Sequence, residues 1–254
     1  MSGQSKCTVY AHAYFSASVE RTLQADNFGE TCAGLTSVAL TAFMVESYLN
    51  YLCEKVCDYE ARADLFLDDT NPIEIDNKLK ELPKNELSLH VNLAEKLGYK
   101  RQAETIIKSL ISSLQKDKRA DFQCDFNGGL SFYELDKKYK LSTRNKLISL
   151  LKSCNTEQTK YDKLIQQFDQ LFNARNALAH GRSENVSESF TKKPNNEIPK
   201  SVPAITASWQ DSCSIEQANK MYSSSKELVS YFNEAFLQEF SPLTNLSSQI
   251  SAVS

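Results

Sequence analysis

The sequence predicts an all-α protein, and three observations carry that prediction. The chain of 254 residues holds only 7 Gly and 6 Pro, which is too little turn chemistry for a sandwich, a barrel or a many-stranded sheet. Several segments repeat apolar residues at steps of three and four, the spacing that gives a helix one buried face. A chain of this length with 41% hydrophobic residues can bury a substantial core. We therefore expect a single helical domain over 1–240 and a flexible tail over 241–254.

Two helices are predicted in the first 60 residues. The first covers 8–23 and ends at Asn27-Phe28-Gly29. The second runs from residue 34 to about 60, and we expect its buried face to consist of Leu35, Val38, Ala39, Ala42, Phe43, Leu49, Cys53 and Val56. Its most apolar stretch is about eight residues, far short of the roughly 20 that span a bilayer, so no membrane segment is expected.

The middle of the chain, over 70–121, is predicted to be helical. Asn71-Pro72 breaks the chain before it, and Gly98 is a good helix end because glycine adopts a positive φ at little cost. The following stretch, 121–141, contains Asn127-Gly128-Gly129 and then the alternating Leu130-Ser131-Phe132-Tyr133. This pattern indicates a loop or a small hairpin.

The C-terminal part is predicted to hold three helices and one long loop. Ser142 or Thr143 can cap a helix that runs to residue 154, and Thr156 can cap the next, over 157–180. A polar segment with three prolines follows over 181–214 and is expected to be a surface loop. The last helix is expected over 215–240, with Pro242 after it.

Cysteine usage and the start of the chain favour the cytoplasm. Residues 1–30 contain three acidic residues and no apolar run behind a basic stretch, so they do not resemble a signal peptide. The seven cysteines include no C-x-x-C pair, which fits reduced thiols. Cys53 and Cys57 lie one helical turn apart, and we expect core packing rather than a metal site. Phosphate-binding loops, dinucleotide fingerprints and zinc spacings do not occur, so no cofactor and no metal are predicted.

The charge gives no global attraction for nucleic acid. The net charge is -3 and the pI is near 5.7, so any site for a polyanion must be local. Acidic residues dominate between residues 20 and 76, and basic residues dominate between 78 and 163. The basic half could follow a phosphate backbone, although a solvated surface is the commoner meaning of such a pattern.

Two charged residues lie on predicted apolar faces. Glu46 falls between Ala42 and Leu49, and Arg175 falls between Phe172 and Leu178. A buried charge needs a counter-ion, a backbone cage or a ligand. A structural ion pair between Glu46 and Arg175 would satisfy both, and such a pair is compatible with a functional role for either residue.

The most informative segment is Arg175-Asn176-x-x-x-His180, at the end of a predicted helix. Of the three histidines, His12 and His90 are expected to be ordinary surface or core residues. The segment resembles the signature of the HEPN (higher eukaryotes and prokaryotes nucleotide-binding) family, helical bundles that include many RNA-cutting toxins and defence proteins. The resemblance extends to Glu46, because these proteins often carry an acidic residue on a preceding core helix. It covers roughly a third of the chain.

The residue types fit RNA cleavage that does not use a metal. Attack of a ribose 2′-hydroxyl on the neighbouring phosphorus needs a proton acceptor, a proton donor and a cation over the phosphoryl oxygens. Arg175 is expected to clamp the phosphate, because its fork of donors holds two oxygens at once. His180 is expected to act as acid and base, and Asn176, four residues away on the same side of the helix, to orient it. Glu46 is a further candidate catalytic residue.

The resemblance implies an antiparallel HEPN-like bundle with extra helices, among them a helical insertion over 70–121, and one long polar loop. It also implies a homodimer whose two motifs face each other across a groove, RNA as the partner, and an antitoxin or other regulatory protein as a further partner. Arg182 stands where family members that a nucleotidyltransferase modifies carry tyrosine, so that regulation is not expected. Two alternatives stay open: a catalytically silent HEPN-like module that dimerises or binds RNA or a nucleotide, and an interaction scaffold in which Glu46 and Arg175 are a structural pair.

Overall fold

The structure is a computed structural model that describes residues 4–25, 30–57, 102–179, 210, 212–237 and 247–253. In chain order the described elements are β1 (Gln4–Val9), α1 (Ala11–Gln24), α2 (Glu30–Cys57), α3 (102–113), a 3-10 turn (Lys116–Lys118), α4 (Arg119–Asn127), α5 (Phe132–Tyr139), α6 (Thr143–Ser153), α7 (Gln158–Ala179), α8 (Ile215–Phe232), a π-helical turn (Asn233–Leu237) and β2 (Ser247–Val253). Helices dominate this part of the chain, which confirms the all-α prediction. The HEPN-like arrangement stays a prediction.

A two-stranded antiparallel sheet forms at positions where a helix and a flexible tail were expected. β1 pairs with β2, with Thr8 opposite Ser248 and an irregular register between Gln4 and Lys6. The helix predicted over 8–23 therefore begins at Ala11, and the tail predicted over 241–254 contains a strand. Cys7-Thr8-Val9 is richer in strand-favouring residues than a helix start, and it obtains its hydrogen bonds from the other end of the chain.

The segment 121–141 is helical, so the expectation of a loop or hairpin is wrong. Gly128 and Gly129 form the turn between α4 and α5, and Gly129 has a φ of +85°. α5 begins in a capping box, in which the Ser131 hydroxyl accepts from the Glu134 backbone N–H while the Glu134 carboxylate accepts from the Ser131 N–H. The alternating pattern after Gly129, which suggested a strand, is too short to outweigh this capping box, which favours a helix.

The chain divides into two compact units. The first consists of Met1–Met44, Gln167–Leu228 and Ser241–Ser254, and the second of Val45–Gln166 and Val229–Phe240. The insertion predicted over 70–121 is helical at 102–113 and 119–121 in the second unit, and its residues 70–101 lie outside the described part. The loop predicted over 181–214 also lies outside it, apart from residues 210 and 212–214.

A buried tyrosine joins α1 to α8 in the first unit. The Tyr222 hydroxyl donates to Glu20 at 2.9 Å and lies 2.8 Å from the Ser16 hydroxyl, which is also buried. Burial is the main reason that the pKa of Tyr222 rises to about 12. The folded state therefore favours the protonated phenol.

We expect Tyr222→Phe to lower the free energy of unfolding by about 1 kcal/mol at neutral pH, because two hydrogen bonds of the hydroxyl are lost. A raised pKa adds stability that is complete below the usual tyrosine pKa and disappears as the pH rises through the folded value. The difference between wild type and Tyr222→Phe should therefore shrink from about pH 10 to about pH 12. Urea unfolding over that range measures it, and a difference that stays constant would contradict the role of the hydroxyl.

A buried lysine organises the second unit. Lys146 of α6 is 3% exposed, and its Nζ lies 2.7 Å from Asp136 Oδ2 and 2.8 Å from Asn50 Oδ1. It thereby connects α6 with α5 and α2. Apolar side chains surround these helices, among them Leu49, Leu52, Ile106, Leu110, Leu135, Leu147 and Leu150, all without exposed surface.

Replacing Lys146 with Met keeps the length of the side chain but leaves Asp136 and Asn50 without their donor. We expect the free energy of unfolding to fall by about 2 kcal/mol. The loss is not larger because the Asp136 side chain is 27% exposed, so that water can solvate its carboxylate. Lys138→Met is the matched control, since Lys138 also bonds an aspartate but is 54% exposed, and it should cost much less. Equal losses in urea titrations would contradict the importance of burial.

α2 is the most apolar helix among the described residues. By length and composition Cys32–Cys57 could span a membrane, but 56% of its most apolar part is buried within the protein. The core helix of a soluble protein has the same character, so the expectation of no membrane segment stays a prediction. Cys53 and Cys57 on this helix are buried, as the core interpretation predicts, and burial raises the pKa of Cys53 to about 12.

Candidate functional site

The first part of the Arg175-Asn176-x-x-x-His180 motif lies on the last turns of α7. The buried residues of this helix are Leu164, Phe168, Leu171 and Ala174, the three- and four-residue spacing of a single buried face. Arg175 follows Ala174 directly and is half-buried, whereas Asn176 is exposed. The helix thus presents a guanidinium at the edge of its buried face and a carboxamide on its outer surface.

Contacts with neighbouring side chains of α7 help to orient the Arg175 guanidinium. Its Cζ lies 5.4 Å from the centroid of the Phe172 ring, and its Nη1 donates to Asn176 Oδ1 at 3.0 Å. Phe172 in turn stacks on Phe168, with ring centroids 4.1 Å apart and an interplanar angle of 20°. A cation over an aromatic face gains electrostatic stabilisation and loses rotamer freedom. The guanidinium is therefore already ordered before any ligand binds.

Of the remaining predicted site residues, the structure describes Glu46, which falls in a different compact unit from Arg175. Glu46 belongs to the second unit and Arg175 to the first, and Glu46 is half-buried at the flank of the α2 face. The predictions for His180, Arg182 and His90 fall outside the described residues. His12, the remaining histidine, is buried in α1 with its ring centroid 5.7 Å from that of Tyr10, as a core residue would be.

A cavity of about 520 Å³ opens beside the motif, between α7 and α8 of the first unit. Its lining includes Gln170, Asn173, Ala174, Ala177, Gln217 and Lys220. Ser212, just before α8, also lines it, and Ser214 caps α8 by accepting from the Gln217 N–H at 3.3 Å. Met221 lines the cavity as well. Among the described lining residues Lys220 alone is charged, so the cavity is a partly polar, weakly cationic recess.

This cavity was not predicted from the sequence. On α7 the lining residues fall at 170, 173, 174 and 177, the helical spacing of one face, and they are carboxamides or alanines. Small and amide-bearing residues at that spacing, next to a motif that suggests phosphate chemistry, are a recognisable signal. The contribution of α8 could not be inferred, because it depends on tertiary packing.

Among the described residues, no three His, Cys, Asp or Glu side chains come together in a way that could hold a metal ion.

Comparison with models of protein families, with curated proteins and with solved structures finds no match to this chain.

Proposed function

We propose that the protein is a metal-independent endoribonuclease with a composite active site at a homodimer interface, related in role to toxins or defence proteins. The observation that carries the proposal is the Arg175 guanidinium, held by Phe172 and Asn176 on the helix that leads to His180. An ordered, permanently charged donor fork suits a phosphodiester, whose charge increases on the phosphoryl oxygens during the reaction.

In this mechanism the 2′-hydroxyl gives its proton to a base and forms a bond to phosphorus. The bond from phosphorus to the 5′-oxygen breaks, and that oxygen receives a proton from an acid. The products are a 2′,3′-cyclic phosphate and a 5′-hydroxyl end. One His180 cannot be base and acid in the same step, so two copies of the motif supply the two roles, while Arg175 holds the phosphate.

The test is incubation of the purified protein with structured and single-stranded RNAs in the presence of EDTA. Cleavage that yields cyclic phosphate ends and depends on His180 supports the proposal. RNA binding without cleavage would instead favour the catalytically silent module. Sedimentation at micromolar concentration tests the composite site, because a strict monomer would contradict it.

A further inference from the structure

We infer that the cavity between α7 and α8 holds one nucleotide of a single-stranded RNA, with Lys220 on a phosphate and the carboxamides of Gln170, Asn173 and Gln217 on the base. This inference rests on the proposed function and assigns the part of the substrate that lies beside the cut phosphate.

Size and position suit a nucleotide. A volume of about 520 Å³ falls within the range of sites that bind small organic molecules. Asn173, Ala174 and Ala177 lie within one helical turn of Arg175 and Asn176. A strand whose phosphate reaches the guanidinium can therefore place an adjoining nucleotide in the cavity.

The polar groups of the lining are available to a ligand. Within the part of the chain that the structure describes, no side-chain hydrogen bond or ion pair engages Lys220 or the carboxamides of Gln170, Asn173 and Gln217. Other amides behave differently, since Gln123 bonds Asn127 and Gln158 bonds Asp162. Unengaged amides grouped around one recess are the groups that read base edges, because each offers a donor and an acceptor.

The charge distribution matches a phosphate at one end of the cavity only. Lys220 lies on the second turn of α8, whose capped N-terminus carries Ser214 and faces the same recess through Ser212 and Gln217. A lysine and the positive end of an 18-residue helix both attract an anion. The α7 side adds amides and alanines without charge, which suits a neutral base.

Single-stranded RNA is the form that this recess can admit. The Watson–Crick and Hoogsteen edges of a base are accessible to carboxamides only where the base is unpaired, because pairing occupies the first and the deep groove of duplex RNA excludes side chains from the second. The described lining has no aromatic ring to stack a base, so recognition depends on edge contacts and on the phosphate.

The experiment measures binding of a 5′-fluorescein-labelled single-stranded RNA of roughly 12 nucleotides by fluorescence polarisation, over a series of salt concentrations. All proteins carry His180→Ala, so that the RNA stays intact. We expect Lys220→Gln to weaken binding several-fold and to reduce the slope of log affinity against log salt by about 0.7, the loss of one phosphate contact. Asn173→Ala should weaken binding about fivefold or more with an unchanged slope.

Two further variants make the test specific. Lys226→Gln removes the same charge from α8, but Lys226 lies over the Tyr222 ring at 4.6 Å and not in the cavity lining, so binding should not change. Ala177→Leu fills the recess at an exposed helix position with a good helix former, and it should weaken binding of the RNA. A blunt RNA duplex should compete poorly.

Unchanged affinity and salt slope in Lys220→Gln, or an equal loss in Lys226→Gln, would overturn the inference. The cleavage assay separates it from the proposed function. If wild type cuts RNA in a His180-dependent way while the cavity variants bind normally, the cavity inference alone fails. If wild type binds RNA through Lys220 and Asn173 without cutting it, the proposed nuclease fails and the cavity assignment stands.

Discussion

Replacing His180 with alanine is expected to lower the rate of RNA cleavage by about 10²–10⁴-fold, the usual contribution of a general acid or base. The variant leaves the phosphate clamp in place, so RNA binding should change little while turnover falls. The rate is measured under single-turnover conditions in EDTA, with enzyme in excess over a labelled RNA, so that binding and chemistry are separated.

Two controls decide what a loss of activity means. His90→Ala removes a histidine that lies outside the motif and should cut RNA at the wild-type rate. Arg175→Lys keeps a positive charge but loses the planar fork, so it should fall between wild type and Arg175→Ala. Circular dichroism of each variant checks that the helices persist. Cleavage by His180→Ala at the wild-type rate would contradict the catalytic role of the motif.

Gly34→Ala is expected to be the most damaging substitution for the fold. A β-carbon at Gly34 would stand 1.9 Å from the Cys213 backbone oxygen and 3.1 Å from the Ser214 carbonyl carbon. A carbon at the first of these distances overlaps the oxygen, which belongs to the backbone, so α2 or the segment before α8 must move. We expect a loss of roughly 3–5 kcal/mol in the free energy of unfolding.

The matched control is Gly128→Ala, the same change at the end of α4. There the added carbon would be 3.1 Å from the Cys124 oxygen, and the φ of −76° suits alanine. A loss within about 1 kcal/mol is expected. Thermal unfolding of the two variants provides the comparison, and similar midpoints would contradict the close approach at Gly34. Because Ser212 adjoins this contact, Gly34→Ala should also weaken RNA binding at the cavity.

Apolar periodicity was a good guide to the helices and a poorer guide to their buried faces. On α2, Val38, Ala42, Leu49 and Cys53 are buried as predicted, but Phe43 is 43% exposed. Phe43 was predicted to belong to the buried face. The prediction is wrong because the helix is apolar around most of its circumference, and such a pattern does not specify one face. The missed helix α5 shows the value of a local signal, the capping box, over a short alternation.

The candidate site was predictable only in part. Arg175 and Asn176 follow from a contiguous motif, and their mutual hydrogen bond is a property of neighbouring residues on one helix. Lys146 was overlooked, because a lysine that follows three polar residues at a helix start resembles any surface lysine until Asp136 and Asn50 are brought to it by packing. The cavity beside α7 needs two helices from distant parts of the chain, and no pattern in one sequence specifies that pairing.

The pairing of β1 with β2 has a consequence for the order in which the protein folds. Thr8 meets Ser248, so nearly the whole chain must be gathered before this contact can form. The entropy lost in closing so long a loop is not recovered by one short ladder of hydrogen bonds. The helices must first bring the two segments together. The strand pair therefore forms late and contributes little to the start of folding.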